Sequence, residues 1–225
     1  MLNRQSLGAT ANAVNTALLL DQPITRRQAA EVAAFIAGRQ GLPGNYGGLF
    51  APIEGELSAP YRLFTGDPAL TGAAARHILG EEALRLLKVL GVEARAVRQA
   101  LGKAQEAFAA QLEQVQERRG GKGTYCCGKC TVAYWRTLST HWLPDAEARL
   151  HAGMVALKQA RQQGQWRRYP LYYTALCLNE LPRDLALAER RYARPHCEAA
   201  LGRLKRSSAH FEQHSAILEG LLAAA

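Results

Sequence analysis

The chain has 225 residues, 48% of them apolar, and a formal charge of +9, which is enough for one cooperative core and short for two full domains, so a single domain is expected over 1–225. Nowhere do eighteen apolar residues follow one another, and the start carries no apolar run with a small-residue cleavage site after it; no membrane span and a soluble, cytoplasmic chain are expected. Five cysteines, an odd number without an export signal, speak against a disulfide framework.

Apolar residues recur at helical spacing nearly everywhere and no segment alternates for long, so the fold class is all-α, with about ten helices stacked as antiparallel hairpins. From the N-terminus, Thr25 with Gln28 three residues on reads as a capping box, and Gly41 closes the helix that follows. Residues 41–60 form the one long loop. Asp67-Pro68 places a proline at a first helical turn. The helix so begun carries the small residues Gly72 to Ala75, then His77 and Glu81 on one face, where they satisfy each other or share a proton or a metal, and it ends at Gly91.

Val97, Leu101, Ala104, Phe108, Leu112 and Val115 stripe the next helix, which stops at Gly120-Gly121. Another starts near Gly128 with Val132, Trp135 and Leu138 on one face. Leu143-Pro144, Leu181-Pro182 and Arg194-Pro195 open three more, and Gly164 closes one. Charge follows the same direction: residues 1–91 hold eight Lys/Arg against seven Asp/Glu, whereas residues 92–225 hold twenty against twelve. A partner of the second part is therefore anionic. The doublets Arg118-Arg119, Arg167-Arg168 and Arg190-Arg191 fall near expected helix ends, where cations complement the helix dipole; a phosphate-binding patch or nucleic-acid attraction is the alternative.

Three segments share a glycine, one residue and an aromatic after a Gln/Arg-rich helix end: "FIAGRQGLPGNYGG" (35–48), "QVQERRGGKGTYCCG" (114–128) and "LKQARQQGQWRRYP" (157–170). Their aromatics, Tyr46, Tyr125 and Trp166, stand 79 and 41 residues apart, the spacing of hairpin repeats of about forty residues, around 26–60, 93–140 and 144–194. The first segment, with Phe35, Ile36, Gln40, Gly44 and Tyr46, resembles the QW motif of terpene cyclases, related to repeats of protein prenyltransferase β subunits; tyrosine stands where that motif has tryptophan. Residues 167–181, "RRYPLYYTALCLNEL", are similar to the prenyltransferase segment in which an aromatic run and a threonine open a core helix. The resemblance implies an α/α toroid around a cavity and an isoprenoid-like ligand. The Asp-rich boxes of those enzymes are absent. Of their zinc site, built from an aspartate, a cysteine and a histidine, only Cys177 lies in a comparable segment.

Cys126, Cys127 and Cys130 crowd the start of a helix, where the dipole and Lys129 are expected to lower thiol pKa. Plain packing, a metal (zinc, or second an iron–sulfur centre) and redox chemistry all stay open. Cys126, next to Cys127, is expected to point away from it, so a metal would need a ligand distant in sequence: His141, Cys177, His196 or Cys197. No P-loop, Gly-x-Ser-x-Gly elbow or HExxH helix occurs, and no catalytic residue is assigned. The expected function is binding, with or without catalysis, of a small, partly apolar anionic ligand in a concavity walled by Tyr46, Tyr125, Trp135, Trp166 and Tyr173 and charged by Lys129, Arg167 and Arg168. The alternatives are a scaffold whose basic C-terminal part holds an acidic protein or nucleic acid, and a metal-binding protein. Where the arginines fall decides: inside a concavity for a ligand, over a convex face for a scaffold.

Overall fold

The computed structural model describes residues 1–119 and 121–224, residues 117–119 by backbone alone. The Arg118-Arg119 side chains and Gly120 of the expected stop lie outside the described residues. The fold is all-α: nine α-helices and one two-stranded hairpin among the described residues. No helix among them is long and apolar enough to cross a membrane. The chain forms two compact units, Met1–Phe64 with Pro68–Gly120, and Thr65–Asp67 with Gly121–Ala225.

The first unit holds α1 (Leu7–Leu19), α2 (Arg26–Ala37), α3 (Gly72–Leu90) and α4 (Arg95–Arg119). The Glu56 carboxylate accepts from the amides of Leu7 and Gly8 at the start of α1, where the helix dipole favours negative charge. The capping box at Thr25 is present with both of its bonds, and Gly91 closes α3 in the left-handed conformation. Pro68 does not open α3. It pairs with Arg62 in an extended bridge, and the helix starts four residues later, under the Thr71 hydroxyl, which accepts from Ala74. Helix α3 packs against α1, α2 and α4 and is buried on nearly all sides. Its polar residues are therefore interior ones. His77 Nε2 lies 3.2 Å from Glu81, Arg85 donates to Asn15 Oδ1 at 3.0 Å, and the Asn15 amide donates to Glu82 at 3.1 Å. Residues 41–60 are less of a free loop than expected: Gln40 bridges Phe50, Leu49 and Phe50 are fully buried, and Tyr46 stacks on His77 with centroids 4.5 Å apart.

The second unit holds α5 (Gly128–Leu138), α6 (Ala146–Gln159), strands β1 (Arg161–Gln162) and β2 (Gln165–Trp166), α7 (Leu171–Glu180), α8 (Arg183–Arg203) and α9 (Phe211–Ala223). Helix α7 is its centre, packed on α5, α8 and α9 with Tyr173 to Leu178 all buried. Three cations tie the helices together. Arg136 on α5 meets Glu180 on α7 through two bonds of 2.7 and 2.9 Å and lies over the Tyr173 ring. Arg149 donates to Asp145 at 2.7 Å and to the Tyr134 hydroxyl. Arg190 donates to the Leu178 carbonyl, so it complements the carbonyl end of α7 while itself sitting inside α8, and not near a helix end as its doublet suggested.

Two readings of helix punctuation give way here. Pro195 lies inside α8 and starts nothing: its ring faces solvent and only one backbone bond is lost, so two expected helices merge into one. Gly164 closes no helix either. Helix α6 has already ended at Gln159, and Gln163 and Gly164, with φ of 50° and 78°, form a two-residue turn that pairs Gln162 with Gln165 and Arg161 with Trp166. The three glycine–aromatic segments thus take different local forms: Tyr46 lies in a loop after α2, Tyr125 ahead of α5 and Trp166 in a strand.

Residues 65–67 close over α9. His214 donates from Nε2 to the Thr65 carbonyl at 2.9 Å and stacks on Tyr172, with His210 alongside. Burial, outweighing that bond, pulls the His214 pKa below its ordinary 6.5. The unfolded chain then holds more protons than the folded one between the lowered value and 6.5, so this contribution to stability is complete above 6.5 and is lost as pH falls through the folded pKa. Melting temperature is expected to fall on acidification through that window. The fall should be shallower in His214→Gln; an identical pH profile would contradict the assignment.

Candidate functional site

One concave surface of the second unit collects Lys129, Arg167 and Arg168, the three cations that the sequence reading assigned to a ligand. Gly128, the first residue of α5, lies so close to the Arg168 carbonyl that a Cβ would come within 1.8 Å of its oxygen. Only glycine allows this approach, and it joins the start of α5 to the segment leaving the hairpin. Arg168 itself has φ +74°, a conformation that a long side chain seldom adopts and that persists only where the surroundings enforce it.

Lys129, Arg167 and Arg168 line a cleft of about 580 Å³ beside this junction, with Gln162, Gln163 and Gln165 along its hairpin side. Arg167 and Arg168 are exposed, and among the described residues no carboxylate engages either guanidinium. Asp67 is the sole acid of the lining, and its carboxylate already accepts from the Thr65 hydroxyl at 2.9 Å. The cleft is therefore electropositive and rich in amide donors, a combination suited to oxyanions. Its floor is Trp166, 2% exposed, whose indole N–H donates to Glu189 at 2.8 Å. Glu189 also holds Arg161 at 2.7 Å, so Arg161 is committed to structure.

The expected aromatic walls are distributed differently. Trp166 and Tyr169 reach the cleft; burial pushes the Tyr169 phenol up, keeping it neutral. Tyr125, Trp135 and Tyr173 are core residues, 2%, 0% and 0% exposed, and Trp135 stacks on Tyr169 while donating to the Gly123 carbonyl. Tyr46 belongs to the first unit. Sequence reasoning missed Tyr169, Asp67 and the three glutamines; the "QQGQ" turn flanked by matched polar residues was the available signal for the hairpin.

At the edge of the same junction lie the cysteines. Cys127 is the N-cap of α5, its sulfur accepting from the Cys130 amide at 3.5 Å. Cys126 does not diverge as expected: its sulfur lies within 4.8 Å of that of Cys130. The Cys130 thiol hydrogen-bonds with both Cys126 and Cys127, and these bonds, then burial, push its pKa far up, opposite to the lowering that the helix start suggested. The distant ligand candidates do not assemble with them. Cys177 and Cys197 are buried in α7 and α8, Cys197 with its pKa pushed up to about 11 by burial, and His196 flanks the Gly164 turn. His141 is exposed past the far end of α5. Among the described residues none of the four belongs to a group of three ligand atoms. The His77–Glu81 pair is interior to the first unit, with both side chains at most 1% exposed.

In comparisons with known proteins, no family model, no curated protein and no solved structure matches this chain.

Proposed function

We propose that the second unit binds a small anionic ligand, of the phosphate or diphosphate type, in the cleft of Lys129, Arg167 and Arg168. The observation that carries this reading is the convergence of these three cations on one concavity, with Arg167 and Arg168 exposed and engaged by no carboxylate among the described residues. A guanidinium pair with adjacent amide donors matches the geometry and charge of a tetrahedral oxyanion, and each charge-assisted bond contributes more than a neutral one. The glutamine-rich lining favours the polar head of a ligand over an apolar body. The isoprenoid-like class implied by the prenyltransferase resemblance enters this reading through its diphosphate head, and the toroid arrangement of hairpins remains part of that proposal. Convergence in a cleft supports the small-ligand reading over a scaffold that spreads its charge for an acidic macromolecule.

Calorimetric titration with inorganic diphosphate is expected to show one site, weakening as salt is raised because the gain is electrostatic. The double variant Arg167→Ala/Arg168→Ala should lose at least about tenfold in affinity, since one charged hydrogen bond is worth more than 1.4 kcal/mol. Unchanged affinity in that variant would remove the proposal.

A further inference from the structure

The three thiols at the start of α5 form a cluster of their own that the anion site does not use. We infer that Cys126, Cys127 and Cys130 bind one zinc ion through three sulfurs. Cys126 and Cys130 place their sulfurs within 4.8 Å of each other, and the Cys130 thiol touches that of Cys127 as well. In a tetrahedral site with zinc–sulfur bonds of about 2.3 Å, neighbouring sulfurs stand nearly 4 Å apart: the Cys126 and Cys130 sulfurs come near this, and Cys127, exposed and held over the same turn by its bond from the Cys130 amide, has to swing its side chain to complete the three. All three ligands come from five consecutive residues, one of them the helix N-cap, so the site is assembled by local folding.

The ion's identity follows from donor type and number. Thiolates select soft or borderline ions, and iron–sulfur clusters ask for four protein ligands where this segment offers three. Binding one Zn²⁺ releases the three thiol protons to solvent and leaves the centre with one net negative charge. Nothing is oxidised or reduced. That charge rests at a helix N-terminus, with Lys129 in the first turn of the same helix, where an anion is stabilised. Cys126 and Cys127 are exposed, so ions enter from solvent, and the fourth position is left to water.

The test uses the reduced, metal-stripped full chain titrated with Co²⁺ and then Zn²⁺. One equivalent of Co²⁺ is expected to produce an intense sulfur-to-cobalt charge-transfer band, which one equivalent of Zn²⁺ abolishes. Cys126→Ser, at an exposed position, should fold normally and lose at least about tenfold in affinity, the lower end of what even an outer-shell loss costs. His141→Ala, past the opposite end of α5, should bind as the parent does. Zn²⁺ should also protect Cys126 and Cys127 from alkylation in the unmutated protein, a readout independent of any variant's folding. Absence of the charge-transfer band, its persistence in Cys126→Ser/Cys127→Ser, or alkylation unaffected by Zn²⁺ would each overturn the inference. None of these outcomes depends on whether the anion cleft is occupied.

Discussion

Trp166→Ala is expected to lower stability by about 3–5 kcal/mol, the range for truncating a buried tryptophan. The indole is 2% exposed, packs beside Tyr192 and donates to Glu189. Its removal leaves a cavity beneath β2 and takes one of the two side-chain partners from Glu189, which keeps Arg161. The same residue floors the cleft, so diphosphate affinity should fall together with stability. Urea unfolding monitored by circular dichroism measures the first effect, and a loss below about 1 kcal/mol would mean that the hairpin is not packed as described.

Arg136→Ala is expected to cost about 3 kcal/mol, the lower end for breaking a buried ion pair, because Glu180 retains some access to water. Arg136 is 1% exposed and ties α5 to α7 through two bonds while covering Tyr173. Removing the cation takes both of these bonds from the Glu180 carboxylate at the end of the central helix. Replacing both partners, as in Arg136→Met/Glu180→Met, should recover most of the loss, since apolar packing can substitute for a buried pair but not for half of one. A double variant as unstable as Arg136→Ala would show that the cost lies in packing around Tyr173 instead.

What the sequence made legible was what local chemistry decides. The capping box at Thr25 and the left-handed stop at Gly91 each depend on a few adjacent residues, and both are present. The hairpin at 161–166 was not legible, because each strand pairs only two residues and Gly164 suits a helix end as well as a two-residue turn. Pro195 misled for a related reason: a proline on the solvent side of a long helix looks, in sequence, like one that opens it. In the candidate site the cations Lys129, Arg167 and Arg168 were found by charge alone. Aromatic residues offered no such discrimination. Trp135 and Trp166 share a side chain and both are buried, one donating to the Gly123 carbonyl and the other to Glu189, yet only Trp166 borders the cleft, which its place in the hairpin decides. The cysteines show the limit of adjacency arguments, since backbone geometry at the start of α5 turns both Cys126 and Cys127 toward Cys130.

The most direct measurement of the central claim is a crystal structure of the protein grown with inorganic diphosphate. The account predicts density for the anion within hydrogen-bond distance of the Arg167 and Arg168 guanidiniums and the Lys129 ammonium, above the indole of Trp166. Diphosphate bound at saturation elsewhere on the chain, with only solvent between those three side chains, would contradict it.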